Sequence, residues 1–236
     1  MNTGITKTLL VMANSIKKGG RCVAGLEIAH TESDGYKLEE WIRPVDANQD
    51  EGTIPIHRTI IAGLELKTLD LVKIRFTRPA NDPLHPEDFE IDTSVKWQSD
   101  GAMTKDVLER LADESEDLWR ISFDGSRKVA PKTGQKTLWL IKPKAPCQVL
   151  FFRDDTPWGV KYRRLLFIEN ENCDQTFSID DPEFMKRHNL SPESLGNRGR
   201  RTIDLDPSRT VIVASLTKPY KEDGMQYKIA ATIFEL

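Results

Sequence analysis

Hydrophobic positions along this 236-residue chain recur mostly with a period of two, the spacing of strands with one or both faces buried. Near the start, Leu9, Val11 and Ala13 alternate with Leu10, Met12 and Asn14, so the segment is apolar on both faces until Asn14 and predicts a central strand. Next, Cys22, Ala24, Leu26 and Ile28 fall on one face and Arg21, Val23, Gly25 and Glu27 on the other. This predicts a half-buried strand in which Gly25 marks a bulge or a close backbone approach. After the polar turn TESDG, EEWIRPV predicts a third strand ended by Pro44. LDLVKIRF, residues 69 to 76, predicts a fourth, with Val72, Ile74 and Phe76 on one face. A single helix is expected over residues 103 to 112, where Thr104 can cap and Val107, Leu108 and Leu111 share a face. Beyond it the strand period returns in TLWLI, CQVLFF, KYRRLLFI, RTVIVASL and QYKIAATIF.

About ten short strands around one good helix predict an all-β protein of barrel or sandwich type, with one or two short helices. KIRFTRP and VASLTKPY echo one another, each an apolar strand followed by Thr, a base and Pro. With a β cluster on either side of the helix, the echo favours two similar small barrels over one large sheet. The expected division is residues 1–102, a bridging helix at 103–119, and residues 120–236.

Composition adds exclusions. Hydrophobic residues make up 38% and charged residues 30%, and no apolar run approaches the roughly 20 residues of a spanning helix, so no membrane segment is expected. No secretory signal pattern opens the sequence. The three cysteines, Cys22, Cys147 and Cys173, are scattered and odd in number, which favours a reducing cytoplasm over a disulfide framework. A net charge of −3 argues against a protein that coats nucleic acid with its whole surface. Charge is nonetheless segregated: residues 105 to 117 hold six acids against two bases, whereas KKGGR (17–21) and RGRR (198–201) carry bases only.

VMANSIKKGGRCVAGLEI followed by WIRPV, and SLTKPY followed by YKIAATIF near the end, resemble the dual OB-containing domain family of bacteria and archaea. The resemblance implies two successive OB-like barrels and a role in recognising nucleic acids or nucleotides, in settings of prokaryotic defence. The middle of the chain, residues 100 to 200, carries nothing that matches.

In an OB barrel the loop between the first two strands flanks the binding face, which would put Lys17, Lys18 and Arg21 at the rim, where phosphates pass. A solvated hairpin turn explains the same residues equally well. Asn14 and Ser15, at the expected strand exit, can hydrogen-bond a base or phosphate, or simply cap the turn. Trp41 and Arg43 share a face of the third strand, as a stacking platform or as packing. Arg198, Arg200 and Arg201 form a second basic group in a glycine-containing loop, and KYRR adds Lys161, Arg163 and Arg164.

Catalytic signatures are missing. There is no G-x-S-x-G, Walker A, H-E-x-x-H or C-x-x-C. His30, His57, His85 and His188 stand far apart without ligand spacing and read as surface residues. Asp154-Asp155, Asp180-Asp181 and Asp204-x-Asp206 could hold Mg²⁺, but read more simply as turns. No cofactor, metal or catalytic residue is assigned. The expectation is a non-catalytic module for single-stranded or non-helical nucleic acid or a nucleotide. A protein-interaction scaffold and an Mg²⁺-dependent nuclease stand as alternatives.

Overall fold

The computed structural model describes residues 4–31, 35–111, 126–157, 159–169 and 174–236. The TESDG turn, the later part of the expected bridging helix, Trp119, Trp158 and Cys173 fall wholly or partly outside these residues. Two compact units divide the chain. The first comprises Met1–Val107 with Lys132–Thr137, the second Leu108–Pro131 with Leu138–Leu236. Among the described residues no helix is long and apolar enough to cross a membrane.

The first unit contains β1 (Ile5–Lys17), β2 (Gly20–Thr31), β3 (Gly35–Val45), the small hairpin β4 (Ile60–Ile61) and β5 (Leu64–Glu65), β6 (Asp70–Pro79), β7 (Asp88–Ile91) and β8 (Gln98–Ala102). β1, β2 and β3 form an antiparallel meander. β3 then runs parallel to β7, β7 pairs antiparallel with β6, and β6 returns to β1, closing the sheet into a barrel. That circular order, with one parallel pair, is the Greek-key path of an OB barrel. Leu9, Val11, Val23, Ile42, Val72, Ile74 and Phe76 fill the interior. Leu10 and Met12, on the opposite side of β1, are equally inaccessible, as a strand apolar on both faces requires.

Gly25 behaves as its position in the pattern predicts. The register between β1 and β2 shifts between Val11 and Ala13, and a Cβ on Gly25 would stand 2.4 Å from the Leu10 carbonyl oxygen. Pro44 does not end β3, which continues to Val45 along β7. β2 pairs with β3 only as far as Ile42, so beyond it β3 has no β2 ladder to supply and the missing N–H costs nothing there.

The second unit contains β9 (Lys128–Val129), β10 (Leu138–Ile141), β11 (Cys147–Thr156), β12 (Gly159–Ile168), β13 (Gln175–Ile179), β14 (Arg200–Leu205), β15 (Thr210–Leu216) and β16 (Gln226–Glu235). Its path repeats the first: a β11–β12–β13 meander, a parallel β13–β16 pair, then β15 antiparallel to β16. β14 flanks β11 and β10 flanks β15. The KIRFTRP and VASLTKPY echo therefore has a structural meaning. The two segments lie in or at the end of β6 and β15, the fourth barrel strand of each unit.

Among the described residues two short α-helices accompany the strands. α1 (Asp106–Leu111) buries Leu108 and lies within the expected helical stretch. α2 (Pro182–Arg187) comes from a segment that reads as a turn. Asp181 caps it, accepting from the Glu183 and Phe184 amides at 3.0 Å each, with Pro182 in the first turn. Phe184 anchors α2 in the core of the second barrel.

Candidate nucleic-acid interface

The basic loop that joins β1 to β2 is a two-residue hairpin. Lys17 pairs with Gly20, and Lys18 and Gly19 both take positive φ, 44° and 77°, as a mirror-image turn demands. Gly20 is needed for packing: a Cβ there would meet the Ile54 carbonyl at 2.8 Å, beside the Arg21–Ile54 backbone pair. Each base of the loop meets an acid of its own unit. Lys17 lies 3.1 Å from Glu51, Lys18 is 2.5 Å from Glu51 and 3.0 Å from Asp50, and Arg21 pairs with Glu65. Glu51 and Asp50 hold the Lys18 ammonium up at about 12. Three bases against three carboxylates leave the loop near neutrality, not a bare cationic rim.

Asn14 and Ser15 lie inside β1, which runs to Lys17. Asn14 donates to the Leu66 carbonyl at 2.7 Å, and Ser15 is buried. Trp41 is half-buried opposite Leu26. Arg43 does not stand on an open face: it is buried, 6% exposed, at the end of β3. Its guanidinium reaches Asp88 at 3.0 Å, Glu87 at 2.8 Å, His85 Nδ1 at 2.5 Å and Thr137 Oγ1 at 3.2 Å. A guanidinium only donates, so His85 accepts at Nδ1 and carries its proton on Nε2. Burial pushes the Glu87 carboxyl up, but the Arg43 guanidinium and the hydrogen bond from the Thr137 hydroxyl outweigh it and hold it down at about 2.

His85, Glu87 and Asp88 offer ligand atoms within 4.8 Å of one another, so His85 is a buried member of a cluster and not the surface residue its sequence position suggested. Arg43 supplies the positive charge at their centre, and a metal ion would have to displace it.

The remaining acidic pairs have local duties. Asp154 and Asp155 pair with Arg163 and Arg153, Asp181 caps α2, and Asp206 caps the 3-10 turn Pro207–Arg209.

Arg200 and Arg201 belong to β14 and not to a loop, so the period of two sends them to opposite faces. The register fixes which. Phe151, fully buried in the core, faces Arg164 on β12 and Arg201 on β14. Both arginines of this inner row are spent on structure: Arg164 donates to the Leu190 carbonyl at 2.8 Å and Arg201 to that of His188 at 2.7 Å. Arg198 ends the 3-10 segment Pro192–Arg198.

The next row faces outward and differs in kind. Phe152 is flanked by Arg163 on β12 and Arg200 on β14. Leu150, Leu165 and Phe167 lie half-buried on the same outer face, with Lys161 toward the exposed hairpin end. Arg200 is exposed and has no side-chain partner among the described residues, while Arg163 shares Asp154 at 2.9 Å. An aromatic ring between two guanidiniums offers a π-face for a base and charge for the phosphates beside it.

FFRDD and KYRRLL held this row in the sequence. Two adjacent phenylalanines and two adjacent arginines had to split between the faces, but only the register says which member of each pair points outward.

The chain belongs to the dual OB-containing domain family, whose model matches residues 7–233. It is thus an OB-fold binding module built from two OB-like barrels. No curated protein matches it.

Proposed function

We propose that this module binds single-stranded or non-helical nucleic acid on the outer face of the second barrel. The observation that carries the reading is the Arg163–Phe152–Arg200 row across β12, β11 and β14. In the first barrel the corresponding meander face is closed at Arg43, and its basic hairpin is neutralised by Asp50, Glu51 and Glu65. Unpaired bases can lie flat on a ring, whereas bases stacked in a duplex are covered, so single strands are favoured over duplexes. A place for this activity in a prokaryotic defence system is part of the same reading and rests on family membership alone.

Fluorescence anisotropy with labelled single-stranded DNA, single-stranded RNA and a duplex, each over a salt series, tests it. Affinity for single strands should exceed that for the duplex and fall linearly in log–log form with salt. Equal affinity for all three, or no binding at low salt, would contradict the proposal.

One observation favours a second reading, a protein-interaction scaffold. Ile16, Ile56, Ile60 and Leu64 of the first unit are exposed, Leu64 to 75%. Salt-insensitive co-purification of a partner, lost in Leu64→Ser, would support that use of the first barrel.

A further inference from the structure

The outer face of the second barrel does not end at β13. Arg127 donates to Ser178 Oγ of β13 at 2.7 Å, and the next residue, Lys128, pairs with Tyr227 at the start of β16. Lys128 Nζ stands 5.6 Å from the centre of the Tyr227 ring, and that ring meets Tyr220 edge to face at 4.8 Å. Tyr220, 50% exposed, lies in the loop between β15 and β16, one of the two loops that border the ligand face of an OB barrel. Asp223 fixes the group, accepting from the Tyr227 hydroxyl at 2.7 Å and from Lys128 at 2.9 Å.

We infer that Tyr220, held against Tyr227, is a second base-stacking station, so that one nucleic-acid strand is gripped at both ends of the sheet face. The inference rests on the reading given under Proposed function. Asp223 matches the charge of Lys128, so this station offers a ring and little net charge. The phosphates are met at the Arg200 end. Four inter-strand steps from β14 to β16, at about 4.8 Å each, separate the Arg200 end of the first station from β16 by about 19 Å along the sheet. At the rise of about 3.4 Å per stacked nucleotide, a strand needs about six nucleotides to reach both. That lies within the range of about 4–16 nucleotides for one OB fold.

The test is anisotropy of the full chain with labelled oligothymidylates of two, four, six, eight and twelve nucleotides. Wild type, Tyr220→Ala, Tyr220→Phe and Phe152→Ala are compared. For wild type, affinity should climb with length and level off near six to eight. Tyr220→Ala should remove most of the gain beyond four nucleotides, weakening the eight-mer roughly 10-fold while leaving the salt slope unchanged. Tyr220→Phe, which keeps the ring, should restore it.

If Tyr220→Ala binds every length as wild type does while Phe152→Ala weakens them all, the second station is wrong and the first stands. If wild type binds none of the oligonucleotides, both readings fall together.

Discussion

Arg43 and Asp88 face each other across the parallel β3–β7 pair of the first barrel, guanidinium to carboxylate at 3.0 Å, both almost wholly buried. Glu87 takes the second arm of the same guanidinium. One cation thus bridges two carboxylates where the strand order of the barrel crosses from β3 to β7. Arg43→Ala leaves two buried anions without their counter-charge and should destabilise the protein by about 3–5 kcal/mol. Arg43→Lys should rescue little, because an ammonium cannot present a fork to two acids. Urea denaturation measures both, and an Arg43→Lys protein of wild-type stability would refute the forked arrangement.

The same cluster makes a pH prediction. Glu87 titrates at about 2 when folded against an ordinary 4.5. Its contribution is complete above pH 4.5 and is lost as pH falls from there toward 2. Two and a half pH units correspond to about 3 kcal/mol. Glu87→Gln should flatten this part of the stability profile, read as the urea midpoint between pH 5 and pH 2.5. An unchanged slope would place the acid sensitivity elsewhere.

Gly25→Ala tests the β1 bulge. The new methyl would be 2.4 Å from the backbone oxygen of Leu10, which cannot swing away as a side chain can. The substitution should cost about 1–3 kcal/mol by forcing the two strands apart. A thermal melt checks it, and an unaltered midpoint would mean that the β1–β2 contact is looser than described.

Asp154 shares the outer face with Arg163 and occupies it at 2.9 Å. Asp154→Asn should free the guanidinium and remove a negative charge from the path of a phosphate backbone. Binding should tighten several-fold at low salt, with a steeper salt dependence. Weaker binding would show that Asp154 positions Arg163 for the ligand.

Much of the fold was legible in the residues. The alternation in Leu9–Asn14 and in Val72–Phe76 identified strands, and Gly25 announced its bulge, because these signals arise within one segment. α2 was missed because DDPEF carries a helix cap and a turn equally well, and only the buried Phe184 decides between them. For the site, sequence found the right residue types but not their faces. Arg43 looked like a surface cation beside Trp41, yet the acids that enclose it come from about 45 positions away, brought in by the parallel pairing. Lys17, Lys18 and Arg21 looked like a bare basic loop for the same reason: Asp50, Glu51 and Glu65 reach them only through the barrel. Arg200 and Arg201 looked equivalent until β14 paired with β11 and set them on opposite sides.

The measurement that bears most directly on the account compares two triple variants for binding to one labelled single-stranded oligonucleotide over a salt series. One is Phe152→Ala/Arg163→Ala/Arg200→Ala, on the outer face of the second barrel. The other is Lys17→Ala/Lys18→Ala/Arg21→Ala, in the hairpin of the first. The second-barrel variant should lose about 100-fold or more in affinity and show a shallower salt slope, since the Phe152 ring, the exposed Arg200 charge and the Arg163 charge shared with Asp154 are gone. The hairpin variant, whose bases already have carboxylate partners, should stay close to wild type. The reverse pattern would contradict the account and return the site to the first barrel.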